Sequence, residues 1–307
     1  MSVLDRQVVI ITGAGRGLGR AHALEMAERG AAVVVNDLGA SLDGTGSQVG
    51  PADEVAEQVR RRGGLALVNG DDISEPDGAA RLLEATLDAF GKVDVLVNNA
   101  GILRDRMLVN MSIEEWDAVI KVHLRGTFAP MSAVSRHWRE LSKAGRDVDG
   151  RIINTTSSSG IYGNAGQSNY GAAKAGIASM TIIAARELAR YGVKVNAIAP
   201  AALTRMTQNL RPDRPVVPEG EFDPGAPDNV SPLVAWLASA AAKDVTGRVF
   251  NIRGGHVSIA EGWIAGPGVE ENRRLDVEDL DAIVPNLLAK ARPNAMPNGR
   301  VPEEAPA

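Results

Sequence analysis

The 307-residue chain has no cysteine. That excludes disulfide staples, thiolate catalysis and cysteine-ligated metals, and no metal site is expected. No apolar run reaches membrane-spanning length. The first one, Val8 to Ile11, is too short for the apolar region of a secretory signal and leads into glycines, so it reads as a strand. The chain also lacks the cationic surplus of a nucleic-acid binder, because its formal net charge is −5. A cytoplasmic setting is expected. Against these absences stand 44% hydrophobic residues, enough to bury a full core. The length fits one large α/β sheet.

Residues 7–12 are continuously apolar, as in a parallel strand covered on both faces. Gly13, Gly17 and Gly19 follow and open a helix that runs to residue 29. Glycine lets the backbone approach a pyrophosphate, which sits at the positive end of such a helix. The spacing is Gly-x-x-x-Gly-x-Gly, distinct from the Gly-x-Gly-x-x-Gly of other dinucleotide folds. Asp37 closes the second strand, 32–36. A carboxylate there accepts hydrogen bonds from the adenosine ribose hydroxyls and repels a 2′-phosphate, which favours NAD over NADP. Arg16, in the glycine loop, is the residue that could favour a 2′-phosphate instead.

The chemistry is expected between residues 152 and 176. Tyr170 and Lys174 are spaced so that a helix presents both on one face. A free tyrosine, with a pKa of about 10, is a poor base at neutral pH. A lysine one turn away is expected to stabilise the phenolate, at about 1.4 kcal/mol per unit of pKa lowering. Ser157, at the end of a strand, can donate a hydrogen bond to a substrate oxygen beside the tyrosine. Together they form a general acid–base site.

These features together resemble the short-chain dehydrogenase/reductase family. The resemblance rests on Thr12 to Gly19, Asn98-Asn99-Ala100-Gly101, Ser157, and Tyr170 with Lys174, and covers roughly residues 5–255. It implies a catalytic Ser157, Tyr170 and Lys174, with Lys174 also binding the nicotinamide ribose. It implies cofactor contacts from Gly13, Arg16, Gly17, Leu18, Gly19, Asp37, Asn99, Ala100, Gly101, Tyr170, Lys174, Pro200 and Leu203. Asp72 and Ile73 would lie against the adenine. Many members carry asparagine where this chain has His123, at a helix kink that holds a proton-relay water, and His123 is a catalytic candidate in that relay, the alternative being a buried, hydrogen-bonded histidine. Short-chain dehydrogenases of this kind act on small molecules, and a homodimer or homotetramer is implied.

One branch fits further: the (3R)-hydroxyacyl-CoA dehydrogenase domain of the peroxisomal multifunctional β-oxidation enzymes, also described as a 17β-hydroxysteroid dehydrogenase type. It is matched by the long polar loop 38–50, by Asn98 to Arg106, by Val122 to Phe128 including His123, and by Gly160 to Asn164. The expected activity is NAD-dependent interconversion of a (3R)-3-hydroxyacyl-CoA and its 3-oxo form, the acyl part being fatty or steroid-derived. The alternatives are a free hydroxysteroid dehydrogenase and a non-catalytic cofactor-binding regulator; the intact Ser157, Tyr170 and Lys174 argue against the last.

The expected fold is a Rossmann-type doubly wound parallel sheet in a single domain, 1–255, with an extension at 256–307. Further strands are expected at 66–69, 93–97, 151–155, 193–198 and 249–252, the last of the sheet. Helices are expected at 51–62, 75–89, from 112, at 168–190 and at 276–291. The aperiodic, proline-rich stretch 201–227 reads as a mobile lid. Its Arg205, Arg211 and Arg214, with Arg104 and Arg106, are candidate contacts for the phosphates of coenzyme A.

Overall fold

The computed structural model describes residues 2–39, 50–204, 217–218 and 220–302. Most of the loop 38–50, and residues 205–216 and 219 of the expected lid, Arg205, Arg211 and Arg214 among them, lie outside the described residues.

One eight-stranded sheet runs through the chain in the order β3-β2-β1-β4-β5-β6-β7-β8. The strands are β1 Val8–Thr12, β2 Ala32–Asn36, β3 Ala66–Asn69, β4 Val95–Asn98, β5 Arg151–Thr155, β6 Lys194–Pro200, β7 Val249–Arg253 and β8 His256–Ala260. The first seven pair in parallel. β1 to β3 build outward in one direction, and the chain then returns to place β4 on the other side of β1. That reversal opens a crevice at the carboxyl ends of β1 and β4, where such sheets bind ligands.

Burial on both faces explains the unbroken apolar strands. Val9 and Ile11 enter one core cluster with Val33, Val35, Val95 and Val97. Ile10 enters the opposite cluster with Val34, Leu96 and Ile152. Each such side chain contributes about 1.5–3 kcal/mol by leaving water. The helices covering the sheet are α1 Gly17–Glu28, α2 Pro51–Arg61, α3 Pro76–Phe90, α4 Ile113–Ile120, α5 Gly126–Lys143, α6 Ser158–Tyr162, α7 Ser168–Leu188 and α8 Ser231–Ala238. α9, Val277–Lys290, carries no buried residue.

Several details differ from the sequence reading. β7 is not the last strand: β8 pairs with it antiparallel, from Arg253↔His256 to Val249↔Ala260. The tight Gly254-Gly255 connection makes that hairpin, and β8 is an edge strand with His256, Val257 and Ile259 exposed. β4 starts at Val95 rather than 93, because the Val93 carbonyl accepts from the Trp138 indole at 2.9 Å. The stretch after Ser157 contains α6, and α8 is a further helix that the sequence reading did not include. The expected kink near His123 is a π-helical turn, Lys121–Arg125, between α4 and α5.

Candidate active site

The glycine loop and the Asn98-Asn99-Ala100-Gly101 strand end are locked together. Thr12 Oγ1 accepts from the backbone N–H of Asn99 at 3.0 Å and of Ala100 at 3.2 Å. The Asn99 amide donates back to the carbonyls of Thr12 and Gly13, both at 3.0 Å. This leaves no room for a side chain at Gly13 or Gly19. A Cβ on Gly13, whose φ is +63°, would lie 2.6 Å from Ala100 Cα. On Gly19 it would lie 2.2 Å from the Gly13 carbonyl oxygen. Gly19 therefore serves packing and does not line the cleft, whereas Gly13, Arg16, Gly17 and Leu18 do.

Asp37 stands at the end of β2, as expected, and its carboxylate is already held. One oxygen accepts from Gly15 N at 2.8 Å and the other from Gly39 N at 2.7 Å. A Cβ on Gly15 would come within 2.9 Å of that carboxylate. The fixed carboxylate and the open glycine cradle at the N-terminus of α1 fit an adenosine ribose with its pyrophosphate. Asp72 and Ile73 also line the cleft, but the Asp72 carboxylate accepts from Ser74 N and Oγ at 2.9 and 2.6 Å. Ile73 is buried against the π turn's far side, where Gly126 has no space for a Cβ.

Ser157, Tyr170 and Lys174 converge where β5, α6 and α7 meet. Ser157 caps α6, its Oγ accepting from Ser159 N at 3.2 Å, and its hydroxyl acts on the Tyr170 phenol, favouring the ionised form. Gly160 seats α6 directly on α7, since a Cβ there would lie 2.5 Å from Ala175 N. Lys174 is buried, donates from Nζ to the Thr155 carbonyl at 2.6 Å and lies 5.6 Å from the centre of the Tyr170 ring.

The electrostatics differ from the sequence expectation. The Tyr170 phenol is pushed up from its ordinary value, chiefly by burial, with Ser157 opposing and the Asp105 charge adding to the rise. Lys174 is not among the causes of that shift, and burial pulls its own ammonium down to about 7. His123 sits in the π turn, edge-on to Tyr170 with ring centres 5.1 Å apart. Its Nε2 faces the backbone N–H and carbonyl of Ile102, at 3.0 and 2.7 Å. Burial first, and the nearby Lys174 second, bring it down to about 3, so it is neutral. Gly101 is glycine because a Cβ would strike the imidazole at 2.3 Å.

One cleft of about 1100 Å³ gathers every catalytic and cofactor-binding residue expected from the sequence except Gly19, including Pro200 at the end of β6 and Leu203 just beyond it. Arg104 also lines it, whereas Arg106 pairs with Glu115 at 3.0 Å. The sequence reading missed Gln167 and Asn169. Gln167 Nε2 donates to Asp105 at 2.7 Å, and its Oε1 accepts from Ser159 Oγ at 2.7 Å and from Asn164 at 3.0 Å. Buried Asn169 donates to the Arg104 and Glu115 carbonyls. These two amides tie the start of α7 to the loop after β4. Their place directly before Tyr170 was visible in the sequence; their burial was not. Among the described residues no helix is long and apolar enough to cross a membrane.

Comparison with known proteins agrees with this architecture. Residues 7–215 match the family model for short chain dehydrogenases. The chain is 47% identical over 258 residues to a hydroxyacyl-CoA dehydrogenase, ChsB1, of Mycobacterium tuberculosis, covering 83% of this chain and 80% of that one. It is 43% identical over 260 residues to the mouse peroxisomal multifunctional enzyme type 2, covering 85% of this chain but only 32% of that longer protein. A crystal structure of a short chain dehydrogenase from Mycobacterium avium superposes with a TM-score of 0.86 at 54% identity, covering 95% of this chain and 98% of that one. Motifs, sheet order and comparisons agree, and the chain belongs to the short-chain dehydrogenases, a family of oxidoreductases.

Proposed function

We propose that this chain oxidises the secondary alcohol of a (3R)-3-hydroxyacyl-CoA, fatty or steroid-derived, to the 3-oxo thioester, using NAD. The observation that carries this reading is the convergence of Ser157, Tyr170 and Lys174 in one cleft with the Asp37 carboxylate at its cofactor end. The similarity to ChsB1, named a hydroxyacyl-CoA dehydrogenase, supports the substrate class.

NAD, when bound, supplies the acceptor for the hydride leaving the carbinol carbon. The chain's residues do the rest. Ser157 donates to the substrate oxygen and fixes it beside the tyrosine. Tyr170 takes the hydroxyl proton in oxidation and returns it in reduction. Lys174, held by the Thr155 carbonyl, stands beside the phenol and reaches toward the nicotinamide ribose. Asp37, held by Gly15 and Gly39, accepts from the adenosine ribose and opposes a 2′-phosphate.

The test is NADH absorbance with purified protein and paired substrates: (3R)- and (3S)-3-hydroxyacyl-CoA and a free 17β-hydroxysteroid, each with NAD and with NADP. Turnover confined to the (3R)-thioester with NAD is expected. Faster oxidation of the free steroid would replace the thioester reading.

A further inference from the structure

The segment beyond the sheet returns to the substrate side of the cleft. Residues 296–300 form a closed turn. Met296 N donates to the Arg300 carbonyl at 2.8 Å, Gly299 N to the Met296 carbonyl at 2.7 Å, and Arg300 N to Asn298 Oδ1 at 2.9 Å. Gly299 has a φ of +80° and lies flat on Tyr162. A Cβ there would be 3.0 Å from the tyrosine Cζ and 3.1 Å from its hydroxyl. The left-handed backbone favours glycine there, and a Cβ would press on the tyrosine ring.

Tyr162 is the last residue of α6, the short helix capped by Ser157. Its hydroxyl accepts from Asn251 Nδ2 on β7 at 3.1 Å. A helix as short as α6 has little stability of its own. It is held at one end by the Ser157 cap, in the middle by Gly160 against α7, and at the other end by Tyr162 between β7 and the 296–300 turn. Asn164, just beyond, lines the cleft and reaches Gln167.

We propose that the 296–300 turn is a strap that seats on Tyr162 and positions α6, and with it the Ser157 hydroxyl and the Asn164 wall of the substrate cleft. Tyr162 and Gly299 are positioning residues, and the cofactor end of the cleft is independent of them. The kinetic part of the proposal rests on the dehydrogenase reading above; the structural part does not.

The experiment uses the full chain with Gly299→Val and, from the other side of the contact, Tyr162→Ala. Hydrogen exchange is read by mass spectrometry, and NAD binding and (3R)-hydroxyacyl-CoA oxidation are measured in parallel. In Gly299→Val, exchange at 158–163 is expected to rise. kcat/KM is expected to fall about tenfold, with NAD affinity within about twofold of wild type. In Tyr162→Ala, exchange at 296–300 is expected to rise in return. Unchanged exchange at 158–163 in Gly299→Val overturns the strap. So does a loss of NAD affinity as large as the loss in kcat/KM, because that would mean general damage. If exchange rises as expected while wild type oxidises no hydroxyacyl-CoA, the strap stands and the assigned substrate falls.

Discussion

Tyr170 and Lys174 shift in opposite senses for the same reason: both are buried, and burial penalises each one's charged form. Asp105 adds to the rise of the phenol through its negative charge, although it sits on the exposed loop after β4 and is tied in by Gln167. Removing that charge should ease ionisation of Tyr170. In Asp105→Asn the midpoint of the rising pH limb for alcohol oxidation is therefore expected at lower pH than in wild type. A pH–kcat profile checks this, and an unmoved or higher midpoint would mean Asp105 does not act on the phenol. The spacing of Tyr170 and Lys174 was plain in the sequence, because a helix fixes which side chains share a face. The sign of the tyrosine's shift was not, because it depends on how much water the fold removes. Lys174 turning to the Thr155 carbonyl is likewise a tertiary fact.

At the scale of elements, β1, β2 and β4 were readable because a strand covered on both faces must be apolar throughout, and their ends carry the glycines, Asp37 and Asn99. Boundaries were less readable where tertiary bonds intervene, as at Val93 under Trp138. β8 escaped because it is a half-exposed edge strand after a two-glycine connection. The structure also changes how Asp37 should be tested. Its carboxylate holds the glycine loop through Gly15 N and the start of the next loop through Gly39 N, so alanine would disturb the loop as well as the charge. Asp37→Asn keeps the shape and removes the charge. The wild-type preference for NAD over NADP in kcat/KM is expected to narrow by about tenfold, or about 1.4 kcal/mol. A wild-type preference for NADP would contradict this account and direct attention to Arg16.

At the scale of the whole molecule, two histidines are buried and neutral. His22, bonded through Nδ1 to Ser231 Oγ at 2.8 Å, and His123 are each pulled by burial from 6.5 to about 3. The unfolded chain therefore binds more protons than the folded one between pH 6.5 and about 3, and stability falls as pH falls through that window. The full shift corresponds to about 5 kcal/mol per histidine. His22→Asn keeps a polar partner for Ser231 but cannot titrate. Urea unfolding should show it losing about 2 kcal/mol less than wild type between pH 7 and pH 5; parallel losses would mean His22 is not held neutral. The fold brings its distant parts, the Asp37 end and the Tyr170 end, into one cleft, and the central claim is that Tyr170 moves the substrate's proton there. The most direct measurement compares wild type with Tyr170→Phe for NADH formation from a (3R)-3-hydroxyacyl-CoA, with NAD affinity measured alongside. Turnover is predicted to fall about 10²–10⁴-fold with NAD binding unchanged; near-normal turnover in the phenylalanine variant would contradict it.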